Sequence, residues 1–289
     1  MRVVVAKASH ARADVVSLWE IYRFSYSLAL RSLSWRHAKQ VLRLVLEPCA
    51  YWRNVEVPAV VNHLGVRPGD RILDIGSPKI ASLYLCYRMG VEVYATDLYP
   101  YFFDEYSHYL RCLRSSPSGA SYHIELQDAR CLTYPDCYFD KVYAISVVEH
   151  IEDESLAMGE IARVLKPGGL CCLTVPFAAC YYESTIDHEI YYKKPVDGKP
   201  VFFERHYNAR ALQTRLVAPS GLRLTAMEYY GERWVPFERV YWRLPRLPRM
   251  ALSILGPFFS RLFLYRVSQD SLGSARAALL VLRKDLNAK

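Results

Sequence analysis

Residues 71–100 read RILDIGSPKIASLYLCYRMGVEVYATDLYP. The first five are a short apolar run that carries one acid, Asp74, and stops before Gly76. An apolar-rich segment follows to Met89, Gly90 punctuates it, and a second apolar run ends on Asp97. Strand, helix and strand in this order form the unit of a parallel sheet, because parallel neighbours need a crossover between them. Gly76 lets a ligand approach the backbone where a Cβ would clash. Asp97, 21 residues later, is placed as the acid that meets ribose hydroxyls. Pro78 and Ile80 stand where a nucleotide-binding turn carries two more glycines. Ser77 before Pro78 predicts an N-cap and a first helical residue, so the turn can still aim a helix N-terminus at an anionic group.

The alternation continues outward from this stretch. Strands are expected at Tyr122–Leu126, Phe139–Ser146 and Leu170–Val175, with helices at Tyr101–Leu113 and Asp153–Leu165. Residues 14–49 carry helical periodicity, and a short helix is expected over Pro58–Leu64. Beyond Pro176 the pattern loosens to a helix at Asn208–Leu216 and strands at Leu222–Tyr229 and Arg276–Leu282. The fold class is therefore α/β, a doubly wound, seven-stranded, mostly parallel sheet with one late antiparallel strand. The domain reading is a helical cap over residues 1–56 and a main domain over 57–289 with an insertion at 232–270.

The chain has 289 residues, 52% of them hydrophobic and 23% charged, which is a globular composition. Its net charge of +8 fits nucleic acid, anionic lipid, an acidic substrate or plain surface basicity. The eight cysteines form no CxxC pair, and no histidine spacing completes a zinc site. Most of them fall in apolar runs, which reads as buried free thiols in a reducing compartment. Neither a signal-peptide core nor a run of about 20 apolar residues is present, so a cytoplasmic location is expected.

Asp74 lies where a dinucleotide fold carries an apolar residue, and an acid there suits a ligand bearing an ammonium group. Asp128 follows the third strand and His150 the fourth. The segments LDIGS, YATDLYP, LQDAR, FDKVYAISVVEHIED and ARVLKPGGLCCLTVP, in this order, resemble a class I S-adenosylmethionine-dependent methyltransferase of the broad type 11 group. The likeness is strong over Val57–Phe177. It implies S-adenosylmethionine as cofactor, with Asp74, Gly76 and Ser77 at its methionine moiety. It further implies Asp97 and Leu98 at the ribose, Asp128 and Ala129 at the adenine, and Ser146 and Val147 beneath the sulfonium. The family's three-glycine turn is not kept at Pro78 and Ile80. A nicotinamide-dependent dehydrogenase is disfavoured by Asp74 and by LKPGG.

No Asn/Asp-Pro-Pro-aromatic motif follows the fourth strand, which favours O- or C-methylation of a small-molecule, glycan or lipid-linked acceptor. His150, His188 and His206 are the candidate bases. For His150, capping the next helix is the alternative role. Tyr181, Tyr182, Glu183, Tyr191 and Tyr192 suit a sugar or aromatic acceptor, or a loop packed on the sheet. Residues 232–266 hold seven arginines and two acids among large apolar side chains. A substrate lid, peripheral membrane contact and a homodimer surface compete for this stretch. Nucleic acid fits less well, because the basic residues sit among too many large aliphatics. Two alternatives stand beside the enzyme: a non-catalytic methyltransferase-like scaffold, and a basic RNA-directed methyltransferase.

Overall fold

The computed structural model describes residues 16–113, 120–189, 193–233 and 237–286. Tyr191 and Tyr192 of the acceptor loop lie outside the described residues, as do residues 1–15 and 234–236. Three helices come first: α1 (Leu18–Arg31), α2 (Ala38–Leu46) and α3 (Arg53–Leu64). The Ser17 hydroxyl accepts from the Glu20 N–H while the Glu20 carboxylate accepts from the Ser17 N–H, a reciprocal cap that starts α1. α3 begins at Arg53 and not at Pro58, which lies inside it. Burial of Val57, Val60, Val61 and Leu64 along one side overrides that local helix breaker. The boundary expected at residue 56 falls inside α3, and the helices on either side of it share one core with the sheet.

The chain then alternates through β1 (Arg71–Ile75), α4 (Lys79–Met89), β2 (Glu92–Asp97), α5 (Phe103–Cys112), β3 (Tyr122–Leu126), β4 (Phe139–Ile145), α6 (Glu154–Val164) and β5 (Leu165–Pro176). A hairpin of β6 (Tyr182–Ile186) and β7 (Val201–His206) stands apart from the main sheet. Residues 209–220 are helical, as α7 (Ala209–Ala211), a π-turn Leu212–Val217 and α8 (Ala218–Ser220). β8 (Arg223–Glu232) leads into α9 (Phe237–Arg243), α10 (Arg246–Ile254) and α11 (Gly256–Phe263). β9 (Leu264–Val267) and β10 (Ala275–Arg283) complete the fold.

The main sheet has eight strands in the order β3-β2-β1-β4-β5-β10-β8-β9. β1 to β5 run parallel, and β10 is antiparallel to both β5 and β8. The strand beyond the seven expected is β9, which pairs with Tyr229–Glu232. Its four residues end the arginine-rich stretch and are too short to show a period of two. Successive strand residues face opposite sides. Ile72, Val93, Tyr143 and Leu279 pack toward α1, α3 and α4. Leu73, Val142, Leu173 and Leu280 pack toward α6 and residues 209–220. No helix among the described residues is long and apolar enough to cross a membrane.

One junction ties the N-terminal helices to the late excursion. The fully buried Tyr22 of α1 donates to Asn54 Oδ1 of α3 at 2.9 Å and sits 3.0 Å from the Ser253 carbonyl of α10. Gly256 opens α11 against the same hydroxyl, and a Cβ there would lie 2.0 Å from it. Gly256→Ala should therefore destabilise the fold by roughly 1–3 kcal/mol through overpacking. The same substitution should cost less in a Tyr22→Phe background, where the hydroxyl is gone. A double-mutant cycle by urea unfolding measures this, and additive costs would contradict the close contact.

Candidate active site

Strand order reverses between β1 and β4, since β2 lies on one side of β1 and β4 on the other. In an open α/β sheet the crevice beyond such a point receives ligands. At this edge Asp74 is completely buried and shares the parity of Ile72, so it faces α4. Its Oδ1 accepts the Ser77 N–H at 3.0 Å. Its Oδ2 has no hydrogen-bond partner but lies 3.5 Å from Lys79 Nζ. Lys79 is also buried, donates to the Thr96 carbonyl at 2.9 Å and sits 5.1 Å from the centre of the Phe102 ring. Burial pushes the Asp74 carboxyl above its ordinary value, while Lys79 and the Ser77 N–H oppose the shift. The ammonium that Asp74 meets here belongs to the chain itself.

The turn differs from its sequence reading in one respect. α4 starts at Lys79, and Pro78 is the cap residue, with φ −56° and ψ 115°. Ser77 does not cap the helix. Its hydroxyl donates to the Ile75 carbonyl at 3.2 Å and accepts the Ile145 N–H at 2.8 Å, which stitches β1 to β4. Gly76 is left-handed at φ +59°, and a Cβ added to it would lie 2.9 Å from Val147 Cγ1. Ile80, in place of the third glycine, is buried in the core on the α4 side of the sheet.

Asp97 closes β2 and accepts the Tyr99 N–H at 3.3 Å, beside the half-exposed Leu98. Asp128 follows β3 and is gripped by Arg130 through Nε at 3.0 Å and Nη2 at 2.7 Å. That pairing holds its carboxyl below the usual range. Ala129 beside it is buried.

At the end of β4, Ser146 is left-handed at φ +48°, a conformation few non-glycine residues adopt. Its hydroxyl bonds Glu56 Oε1 at 3.1 Å and also meets the Arg53 guanidinium, which bridges to Glu56. Glu149, two residues beyond Val147, is 1% exposed, and its Oε2 has no hydrogen-bond partner. Burial raises its carboxyl well above the ordinary value; Arg53 opposes this, and Glu56 and Glu204 reinforce it.

Of the three histidines, two approach the same carboxylate, Glu204 of the hairpin. His150 Nδ1 bonds the Phe203 carbonyl at 2.9 Å, and its Nε2 lies 3.9 Å from Glu204 Oε2. It does not cap α6, whose cap position is Asp153. His206 Nε2 lies 3.1 Å from the other Glu204 oxygen, and its ring stacks on Tyr182 at 4.3 Å. His188 stands exposed beside Asp187. Arg205 pins the hairpin: it pairs with the buried Glu154 at 2.9 Å and donates to the Ile151 and Glu152 carbonyls.

Arg53, Glu56, Lys79, Glu149 and Glu204 were not legible as site residues. One signal was available: Arg53 and Glu56, spaced i and i+3, charge the start of an otherwise apolar helix. A cavity of about 380 Å³, lined by Cys137, Arg163, Gly221 and Lys284, lies at the opposite edge of the sheet, away from the strand-end acids.

Residues 73–173 match the family described as "Methyltransferase domain". Over 110 residues the chain is 36% identical to the ubiquinone/menaquinone biosynthesis C-methyltransferase of Chromobacterium violaceum, covering 36% of this chain and 42% of that protein. It is 30% identical over 113 residues to phosphoethanolamine N-methyltransferase 1 of Zea mays, covering 38% and 21%. The chain thus spans less than half the length of these curated relatives. Among solved structures, the [4+2]-cyclase SpnF matches 96% of this chain and 100% of its own at 18% identity and TM-score 0.53. Phosphoethanolamine N-methyltransferase 2 of Haemonchus contortus, solved with S-adenosyl-L-methionine, matches 94% and 61% at 15% identity and TM-score 0.53. At such identities the structural likeness speaks for the fold. Residues 73–173 thus match a methyltransferase-domain family, and the strand order and strand-end acids over the same residues agree with that match.

Proposed function

We propose that the chain transfers a methyl group from S-adenosylmethionine to a hydroxyl or carbon of a small-molecule, glycan or lipid-linked acceptor. The observation that carries this reading is the row of strand-end groups: Asp128 after β3, Asp97 on β2 and the left-handed Gly76 after β1, on three adjacent strands. This donor set fits the cofactor. Asp97 would hold the ribose hydroxyls, Asp128 and Ala129 the adenine edge, Gly76 and Ser77 the methionine end, and Ser146 and Val147 the underside of the sulfonium. When bound, the cofactor supplies an electrophilic methyl group.

The acceptor side is built at the end of β4. The His150 Nδ1–H donates to Phe203, which leaves Nε2 as the basic nitrogen of the neutral ring. Burial lowers the imidazole value, so the ring is uncharged near neutral pH and able to take a proton from a hydroxyl acceptor. Glu204 would stabilise the resulting imidazolium, and His206 holds Glu204 in place. Arg53 and Glu56 orient the Ser146 hydroxyl at the same strand end.

One set of observations favours the second reading, a non-catalytic methyltransferase-like protein. Lys79 already faces Asp74, and Val147 fills the direction a Cβ would take from Gly76.

Calorimetry with S-adenosylmethionine and S-adenosylhomocysteine separates the two. The native chain should bind both at micromolar concentration, and Asp97→Asn should weaken binding roughly tenfold to a hundredfold. No binding at millimolar ligand would leave the second reading. Glu149 adds a pH test. Folded Glu149 keeps a proton that the unfolded chain releases above its ordinary value of 4.5. Its contribution is present below that value and is lost as pH rises toward the folded value. Glu149→Gln carries no such proton. The melting temperature of the variant minus that of the native chain should therefore climb as pH rises above about 5. A constant difference would mean that Glu149 is ionised in the fold.

A further inference from the structure

We propose that α9–α11 form a surface that docks on an anionic membrane. α10 and α11 each bury one side. Met250, Ser253, Gly256, Pro257 and Ser260 face inward. The outward side is also apolar. Leu247, Ala251, Ile254, Leu255, Phe258 and Leu262 are all exposed. Leu247, Ala251 and Ile254 recur at four and three residues along α10, Phe258 and Leu262 at four along α11, and Leu255 joins the two helices, so each helix turns an apolar side outward. Leu247 is 75% exposed and Phe258 62%. α9 adds Val240 and a half-exposed Trp242, and Trp19 of α1 meets Phe258 edge-on at 5.3 Å. A contiguous apolar surface of this kind marks an interaction site.

Charge selects the partner. Arg239, Arg243 and Arg261 are exposed among these apolar side chains. Both acids of residues 232–266 are turned to other work. Glu238 accepts from the Trp52 indole at 2.8 Å, and Glu232 bonds Tyr51 and the Glu238 N–H. The face that remains is apolar and cationic, with two tryptophans, the composition of a helix lying in the headgroup region. Anionic headgroups complement the arginines while Phe258, Leu262 and Leu247 enter the acyl boundary. A second copy of this chain fits less well, because a two-fold interface would set the same arginines against one another. Behind this apolar face lies an about 320 Å³ recess lined by Trp19, Val55, Pro58, Pro257 and Leu264, with Arg261 on its wall.

The test is co-sedimentation of the full chain with phosphatidylcholine vesicles, with and without phosphatidylglycerol, followed also by tryptophan emission. Binding is expected only with phosphatidylglycerol present, weakening as salt shortens the Debye length. Arg239→Gln, Arg243→Gln and Arg261→Gln together should weaken it on the order of a hundredfold. Phe258→Ser with Leu262→Ser should weaken it at least roughly tenfold. Urea unfolding and S-adenosylmethionine calorimetry on the same variants check that fold and cofactor site are kept, so this proposal can fail while the enzymatic reading stands. No binding to anionic vesicles overturns it. So does a dimer in analytical ultracentrifugation that both variant sets dissociate without any vesicle binding.

Discussion

A carboxylate shut away from water has to be satisfied by its own chain, and the edge of the sheet is organised around meeting that demand for Asp74. The turn after β1 bends back so that the Ser77 N–H reaches one oxygen, and Lys79 comes under the strand to face the other. Each partner is then tied elsewhere, Ser77 to Ile145 of β4 and Lys79 to Thr96 of β2. Thr96 closes the circuit through its hydroxyl on the Asp74 carbonyl, at 2.8 Å. Three strands and one helix are registered by a single buried acid. Breaking such a pair typically costs about 3–5 kcal/mol, a large part of the about 5–15 kcal/mol that holds a domain together. A turn tethered this strongly needs less help from glycine, which gives a physical reason for Pro78 at its end and Ile80 in the first turn of α4.

The two sides of the strand-end row differ in what they expose. On the β2 and β3 side, Asp97 and Asp128 stand at the edge, partly open to solvent. On the β4 side, Glu149 and Glu56 are almost wholly buried around Arg53. Burial there raises the Glu149 carboxyl well above its ordinary value, with the Arg53 guanidinium opposing the shift. The hairpin of β6 and β7 lids this cluster, and Arg205 holds the lid down against α6.

Much of the architecture was readable from pattern. β1 and β3 match their expected bounds, and β2, β4, α5 and α6 lie within a residue or two of theirs, because a period of two or of 3.6 runs through them. β9 and the hairpin were not readable. Both are short, and both are held by partners distant in the chain: β9 by Glu232 and its neighbours, the hairpin by Arg205 on Glu154. In the site, acids that end strands announce themselves by position, as Asp97 and Asp128 do. Glu56 and Lys79 do not, since a charge on a helix is ordinarily solvated, and only the packing of α3 and α4 reveals that these two are enclosed. Ser77 shows the opposite error. Its capping propensity was real, but the Ile145 N–H offered its hydroxyl a buried partner.

The contact of Gly256 with Tyr22 has a mechanical consequence. α11 rests on the Tyr22 hydroxyl with no room for a methyl group, and that hydroxyl holds Asn54. Asn54 adjoins Arg53 in the first turn of α3, and Arg53 reaches the Ser146 hydroxyl at the end of β4. The surface helices and the strand end are thus loaded on one short lever. A displacement of α11 therefore bears on Tyr22, Asn54 and the first turn of α3 before it reaches the Ser146 hydroxyl.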